Sequence, residues 1–281
     1  MINSKDLFRD LRKRITLAQD ASETESILYR VLEEVPGITR ADIISQKAVS
    51  LTAKEISALD SIIDRINQNE PVQYILGKAD FFGREFVVNP SVLIPRPETE
   101  LLIEEVLKHA TPAPGKISDI GTGSGCIAIT LSCELPQKQV YAFDISEVAL
   151  KTAKGNADKL NAHVTFQQVD ILNEEITLND FEFIVSNPPY VAVSEKDAMN
   201  ANVLDYEPHL ALFVPDDDPL IFYKIIAERG VRSLRSGGRI IVEINERFGK
   251  EVKEVFMNAG LRDACILKDL QGKDRIVSAV K

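Results

Sequence analysis

The chain has 281 residues, 44% of them hydrophobic and 27% charged, with a formal net charge of −10. That charge disfavours a broad, sequence-independent grip on phosphate backbones, which needs many lysines and arginines, and no apolar run approaches the length of a membrane span. The three cysteines form no CxxC pair and the three histidines are scattered, so neither a disulfide framework nor a metal site is expected. The opening stretch "MINSKDLFRDLRKRI" is charged and periodic with no apolar signal core, which makes the cytoplasm the expected location.

Residues 1–70 read as a helical bundle. "SETE" (22–25) and "TAKE" (52–55) are capping-box patterns. Each precedes a helical stripe: Ile27, Leu28, Val31, Leu32 and Val35 after the first, and Ile56, Leu59, Ile62, Ile63 and Ile66 after the second. Pro36-Gly37 and Pro71 punctuate the helices. Arg9, Arg12, Lys13 and Arg14 fit a solvated helix face better than a binding patch. In 71–97 the period changes: "ADFFGREFVVNPSVLIP" has short β-rich runs broken by Gly83 and Asn89-Pro90, which predicts a linker carrying a β-hairpin.

The third region, 98–281, alternates. Strands are expected at 116–120, 139–145, 164–170, 181–186 and 238–244, with helices between them. One of those helices carries Cys126 and Cys133 as small core residues. "ACILKDL" and "RIVSAVK" should close the chain as an antiparallel pair around "QGKD". Strands alternating with helices predict an α/β fold with a mostly parallel, doubly wound sheet.

Two stretches carry chemistry. In "SDIGTGSGC" (118–126), Gly121, Gly123 and Gly125 stand between a strand and a helix. Glycines there let backbone N–H groups approach a ligand. The spacing is G-x-G-x-G rather than the dinucleotide pattern, a weak signal alone, with a tight strand-to-helix turn as the lesser alternative. Asp144 ends the next strand, where a carboxylate can accept from both hydroxyls of a ribose. Asp170 and Ile171 end the third, where an adenine ring would find an acceptor and a packing surface. These features fit a dinucleotide or S-adenosylmethionine.

The second stretch, "FEFIVSNPPYV" (181–191), runs a buried strand into Asn187-Pro188-Pro189-Tyr190. The Asn187 side-chain carbonyl is an acceptor. The Pro188 backbone carbonyl is a second, and residues before proline are pushed to extended conformations. Two fixed acceptors match the two N–H bonds of a planar –NH2 group, and the ring of Tyr190 can pack on its face. Such a nitrogen is a poor nucleophile until it is oriented and the charge building on it is favoured. Hydride transfer to a nicotinamide gives no reason for a double acceptor.

The pair "DIGTGSGCIA" and "SNPPYV" resembles class I methyltransferases that modify planar amino groups. "PVQYILG", "FFGREF", "VLIPRPETE", "YEPHLAL" and "KDLQGKDRIV" are similar to the protein-glutamine N5-methyltransferases of peptide-chain release factors, from residue 71 to the C-terminus. The resemblance implies a Rossmann-like, S-adenosylmethionine-dependent methyltransferase domain, with a seven-stranded, mostly parallel sheet and an antiparallel C-terminal strand. It implies methylation of the glutamine in the release factors' Gly-Gly-Gln motif, with S-adenosyl-L-homocysteine as product.

By position, Gly121, Thr122, Gly123, Ser124 and Gly125 would contact the cofactor's methionine end, Asp144 its ribose, and Asp170 and Ile171 its adenine. Asn187 would face cofactor and substrate. Pro188, Pro189 and Tyr190 would complete the glutamine pocket, with Asn187, Pro188 and Tyr190 the catalytic set. Arg96 and Glu98 fit scaffold, and Glu207 would brace the Asn-Pro-Pro-Tyr loop. The helical domain at 1–70 would recognise the release factor. A monomer without membrane or direct nucleic-acid partner is expected.

The alternative is methylation of an exocyclic amine of adenine or guanine in DNA or RNA, with Tyr190 stacking on a flipped base; the acidic balance and the motifs at 71–100 argue against it. A binding module that only retains cofactor is disfavoured by the intact glycines, Asp144 and Asn187. Two phrases depart from the family pattern, "PDDDPLIFY" with Pro219 and "EINERFG". Both are expected to affect the rim and partner docking rather than the reaction.

Overall fold

The computed structural model describes residues 1–16 and 21–281. They form two compact units: Met1–Gly77 with Asn200–Tyr206, and Lys78–Met199 with Glu207–Lys281.

The first unit contains helices α1 (Ser4–Arg14), α2 (Ala21–Glu34), α3 (Arg40–Ile44), α4 (Ala53–Asn67) and α5 (Val72–Leu76). The Thr52–Glu55 capping box forms as the sequence predicts, and Thr39 with Asp42 makes another; such a cap contributes about 1 kcal/mol. Ser22 lies inside the first turn of α2 rather than capping it, and what precedes Ala21 lies outside the described residues. The stripes behave as periodicity demands. Leu28, Val31, Leu32, Leu59, Ile62, Ile63 and Ile66 are buried with Leu7, Phe8 and Leu11 from α1, while Ile56 stays 48% exposed. Arg9, Arg12 and Arg14 pair with Asp6, Glu25 and Asp60, a solvated face as expected. A two-residue ladder joins Ile2–Asn3 to Ala48–Val49. The short helix Ala201–Leu204 also belongs to this unit, and the Tyr206 hydroxyl donates to the carbonyl of Gln68 at 2.7 Å. Nothing in the local sequence signals that return.

The second unit starts with the hairpin β1 (Lys78–Phe81) and β2 (Arg84–Val87). Both turn residues, Phe82 and Gly83, have positive φ, which matches the twist of the strands. The sheet unit holds this hairpin firmly. Phe81 and Phe86 are buried in its core. The side chain of Asn156, fully buried, accepts from the Val87 N–H at 2.7 Å and donates to the carbonyls of Val87 and Ser124, both at 2.9 Å.

Helix α6 (Glu100–His109) follows. Then come β3 (Gly115–Ile120), α7 (Cys126–Glu134), β4 (Lys138–Asp144), α8 (Glu147–Leu160), β5 (Val164–Gln168), β6 (Phe181–Ser186), α9 (Ile221–Ser233), β7 (Leu234–Glu243), α10 (Gly249–Asn258), β8 (Arg262–Lys268) and β9 (Asp274–Val280). The sheet order is β8-β9-β7-β6-β3-β4-β5. From β7 to β5 every pairing is parallel, and β9 runs antiparallel to both neighbours. β6 is buried at every position, as a central parallel strand must be. β7 starts earlier than its apolar run suggests, with a register shift between Leu234 and Arg239. Gly238 allows this, since a Cβ there would lie 2.8 Å from the carbonyl oxygen of Phe181. No helix among the described residues is long and apolar enough to cross a membrane.

Candidate active site

The strand order reverses between β3 and β6, and ligands in open α/β sheets bind beyond the carboxyl ends of strands at such a point. A cavity of about 1070 Å³, open mouth included, lies there. Gly121, Gly123, Asp144, Asp170, Ile171, Asn187, Pro188 and Pro189 all line it. The Ser186 hydroxyl donates to the carbonyl of Ile120 at 2.7 Å, locking the two strands at the reversal.

The glycine loop contributes bare surface rather than free donors. The N–H groups of Gly121 and Thr122 both go to the carbonyl of Phe143, that of Gly125 to Thr122, and that of Gly123 to Asp144 Oδ2 at 2.8 Å. The N–H groups of Gly121, Thr122 and Gly123 thus turn back onto the next strand, and that of Gly125 turns to Thr122 within the loop. A Cβ at Gly121 or Gly123 would meet nothing within 4 Å, so a ligand can approach their backbone closely. Thr122 and Ser124 are buried and do not line the cavity. Gly125 caps α7, and a Cβ there would lie 2.8 Å from Ile129 Cδ1 and 3.1 Å from Ala153 Cβ; its role is packing.

Beneath the loop sits Asp119, fully buried. Its Oδ2 accepts from the Thr122 hydroxyl at 2.6 Å and from the Ala128 N–H at 3.2 Å, while Oδ1 has no partner among the described residues. Burial pushes its carboxyl up to about 7, against those hydrogen bonds and helped by the charge of Asp144. Burial also raises Asp144, whose Oδ1 accepts from the Ser146 N–H at 2.9 Å. Ser146 caps α8 as expected. Asp170 accepts from the Leu172 N–H at 3.0 Å and from Asn173 Nδ2 at 2.7 Å, turning the chain so that Ile171 faces the cavity.

At the end of β6, Asn187 Nδ2 donates to Thr99 Oγ1 at 3.2 Å, and no donor among the described residues reaches its Oδ1. Thr99 Oγ1 donates to Glu243 Oε2 at 2.6 Å. The Tyr190 hydroxyl donates to Glu243 Oε1 at 3.1 Å. Glu243 is buried, which raises its pKa against those two hydrogen bonds. Burial, then the charge of Glu243, holds the Tyr190 hydroxyl well above its ordinary range. Tyr190 stands beside the cavity lining rather than in it. Glu207 braces a different segment from the one expected: its buried carboxylate takes the Ile94 N–H at 3.2 Å and the guanidinium of Arg96, so it anchors the "VLIPR" stretch. The two departing phrases both hold the chain just after Tyr190. Asp216 accepts from the Ser194 N–H at 2.8 Å, Arg247 pairs with Glu195, and Asn245 Nδ2 donates to the Tyr190 carbonyl.

Thr99 and Glu243 were not singled out by the sequence. The usable signal was the one carboxylate in the apolar strand "IIVEI", since a buried charge is kept only with partners.

A parallel sheet with one reversed C-terminal strand, a glycine loop after β3 and an acid at the tip of β4 define a class I, S-adenosylmethionine-dependent methyltransferase. Residues 6–77 match the PrmC N-terminal domain family and residues 97–206 the methyltransferase small domain family. The chain is 46% identical over 258 residues to a release factor glutamine methyltransferase of Bacteroides thetaiotaomicron, covering 92% of each chain. It is 42% identical over 262 residues to one of Flavobacterium psychrophilum, again covering 92% of each. In fold it is similar to a methyltransferase crystal structure from Pyrococcus furiosus, with a TM-score of 0.53 at 18% identity, covering 78% of this chain and 96% of that one. The chain belongs to the release factor glutamine methyltransferase family.

Proposed function

We propose that the protein methylates the side-chain amide nitrogen of the glutamine in the Gly-Gly-Gln motif of peptide-chain release factors, with Asn187 and Pro188 holding that amide. The observation that carries the reading is the orientation of Asn187. Its –NH2 is engaged by Thr99, which leaves Oδ1 as an unspent acceptor on a cavity-lining residue. Beside it, Pro188 supplies a carbonyl that the following Pro189 restricts to extended geometry. Together they would accept both N–H bonds of the glutamine carboxamide, and Pro189 and Tyr190 would limit its tilt.

The residues present fit S-adenosylmethionine. The bare faces of Gly121 and Gly123 admit a close approach, Asp144 keeps lone pairs for a ribose, and Ile171 and Asp170 would receive the adenine. Thr122, Ser124 and Gly125 would act from behind the cavity by shaping the loop. When bound, this cofactor supplies a methyl group on a positively charged sulfur, open to in-line attack. The protein's part is orientation and dipoles. Asn187 Oδ1 and the Pro188 carbonyl would turn the carboxamide and favour positive charge on its nitrogen; as the N–C bond forms the methyl would part from sulfur, leaving S-adenosyl-L-homocysteine, and the nitrogen would then release one proton to solvent, so no strong base has to act first. Such preorganised acceptors are worth about 10²- to 10³-fold in rate.

The helical unit is proposed to read the release factor, because a glutamine at the tip of a folded protein has to be recognised by more than its own side chain. The cytoplasm is the proposed location. Incubation with isotope-labelled cofactor and either a release factor or nucleic acid tests the reading. Label in the release factor, lost in Asn187→Ala with cofactor affinity retained, is the expected result. Label in nucleic acid alone would refute it.

A further inference from the structure

We infer that Glu243 is a positioning residue that holds the Asn-Pro-Pro-Tyr turn from behind, through Thr99 to Asn187 and directly to Tyr190. The inference rests on the methylation reading for its kinetic consequence, but its geometry does not.

A primary amide can sit either way round, and only one way leaves a carbonyl oxygen for the substrate. The choice at Asn187 follows from proton counting. Thr99 has one hydroxyl proton, and the 2.6 Å contact commits it to Glu243 Oε2. Toward Asn187 the hydroxyl oxygen can then act only as an acceptor. The 3.2 Å neighbour of that oxygen must be Nδ2, and Oδ1 is turned away from Thr99. Reversing the amide would set a carbonyl oxygen against a hydroxyl oxygen with no proton between them. The second carboxylate oxygen takes the Tyr190 hydroxyl at 3.1 Å. One buried carboxylate at the end of β7 thus aligns two members of a four-residue turn that follows β6. Thr99 and Glu243 are 2% and 1% exposed, so water does not compete for these bonds. A buried carboxylate costs free energy unless its partners satisfy it, and in a core strand an apolar side chain would fill the place more cheaply. The relay accounts for a carboxylate there.

The test uses the full-length protein with a release factor as substrate. Thr99→Val removes the hydroxyl at nearly constant volume. It is expected to lower kcat about tenfold or more, with the cofactor Kd within about twofold of wild type, which reports an intact fold. Thr99→Ser should restore kcat. Glu243→Gln keeps an acceptor for Thr99 and should lose less than Thr99→Val. A folded Thr99→Val enzyme with wild-type kcat overturns the relay. A readout free of turnover separates this from the functional reading. The side-chain amide of Asn187, followed by ¹⁵N NMR, should exchange slowly in the wild type and faster in Thr99→Val. If the wild type does not methylate a release factor the functional reading fails, and unchanged exchange in Thr99→Val still overturns the relay.

Discussion

The carboxylate of Asp144 accepts the backbone N–H of Gly123 at 2.8 Å, joining the tip of β4 to the glycine loop that follows β3. The same side chain holds the Ser146 N–H at 2.9 Å. Asp144 therefore shapes the loop and the start of α8 besides lining the cavity. Asp144→Ala is expected to weaken cofactor binding about 100-fold, as loss of the charged acceptor proposed for the two ribose hydroxyls implies. It should also lower the thermal midpoint of the cofactor-free protein. Titration calorimetry and a thermal melt check the two effects separately. A loss of affinity with an unchanged melt would restrict Asp144 to the ligand.

Asp119 makes stability depend on pH in a predictable direction. Its folded pKa is about 7 against an ordinary 3.8. Below that ordinary value it is protonated folded or unfolded, and its titration contributes nothing to stability. As pH rises toward 7 the unfolded chain releases its proton and the folded chain keeps it, so stability falls. Above about 7 the loss is complete, at ~4 kcal/mol. Asp119→Asn keeps an acceptor for Thr122 and Ala128 without the charge. Its stability relative to wild type should rise between pH 4 and 7 and then level off, as denaturant unfolding at several pH values would measure.

Asn156 holds β2 against the glycine loop with three hydrogen bonds and no exposure. Asn156→Ala removes the partner of the buried Ser124 carbonyl and of the half-exposed Val87 N–H and carbonyl, and a buried polar group left unpaired costs about 1–3 kcal/mol. A loss of about 3 kcal/mol in urea unfolding is expected, with kcat at saturating substrates little changed because the clamp at Asn187 is untouched.

The legibility of the site followed the range of the forces that build it. The glycine loop, the acid at the end of β4 and the Asn-Pro-Pro-Tyr turn were legible because each is set by local chemistry: positive φ, a strand tip, proline stiffness. β6 was legible because Phe181, Phe183, Ile184 and Val185 make a short apolar run that ends at a turn signal. The Thr99–Glu243 bond was not, because it joins residues 144 positions apart. Nor was the return of 200–206 to the helical unit, which depends on packing that no short pattern records. Glu207 was recognised as a brace but assigned the wrong segment for the same reason. Spending the loop's N–H groups on Phe143 and Asp144 needed the geometry of two strands at once.

The phrases that depart from the family pattern predict a rim effect. Asp216 takes the Ser194 N–H at 2.8 Å, pinning the chain just past Tyr190. Asp216→Ala should raise KM for the release factor by about threefold to tenfold, with cofactor Kd unchanged. Steady-state kinetics with each substrate varied in turn would show the split. A loss confined to the cofactor would place the contact elsewhere.

The central claim is that Asn187 and Pro188 hold a glutamine carboxamide while its nitrogen takes a methyl group. Mass spectrometry of a release factor after reaction, with fragmentation to locate the added mass, tests it most directly. The account predicts one methyl on the side-chain nitrogen of the Gly-Gly-Gln glutamine with the wild-type enzyme, and none with Asn187→Ala although that variant still binds cofactor. A methyl on any other residue, or an undiminished yield from Asn187→Ala, would contradict it.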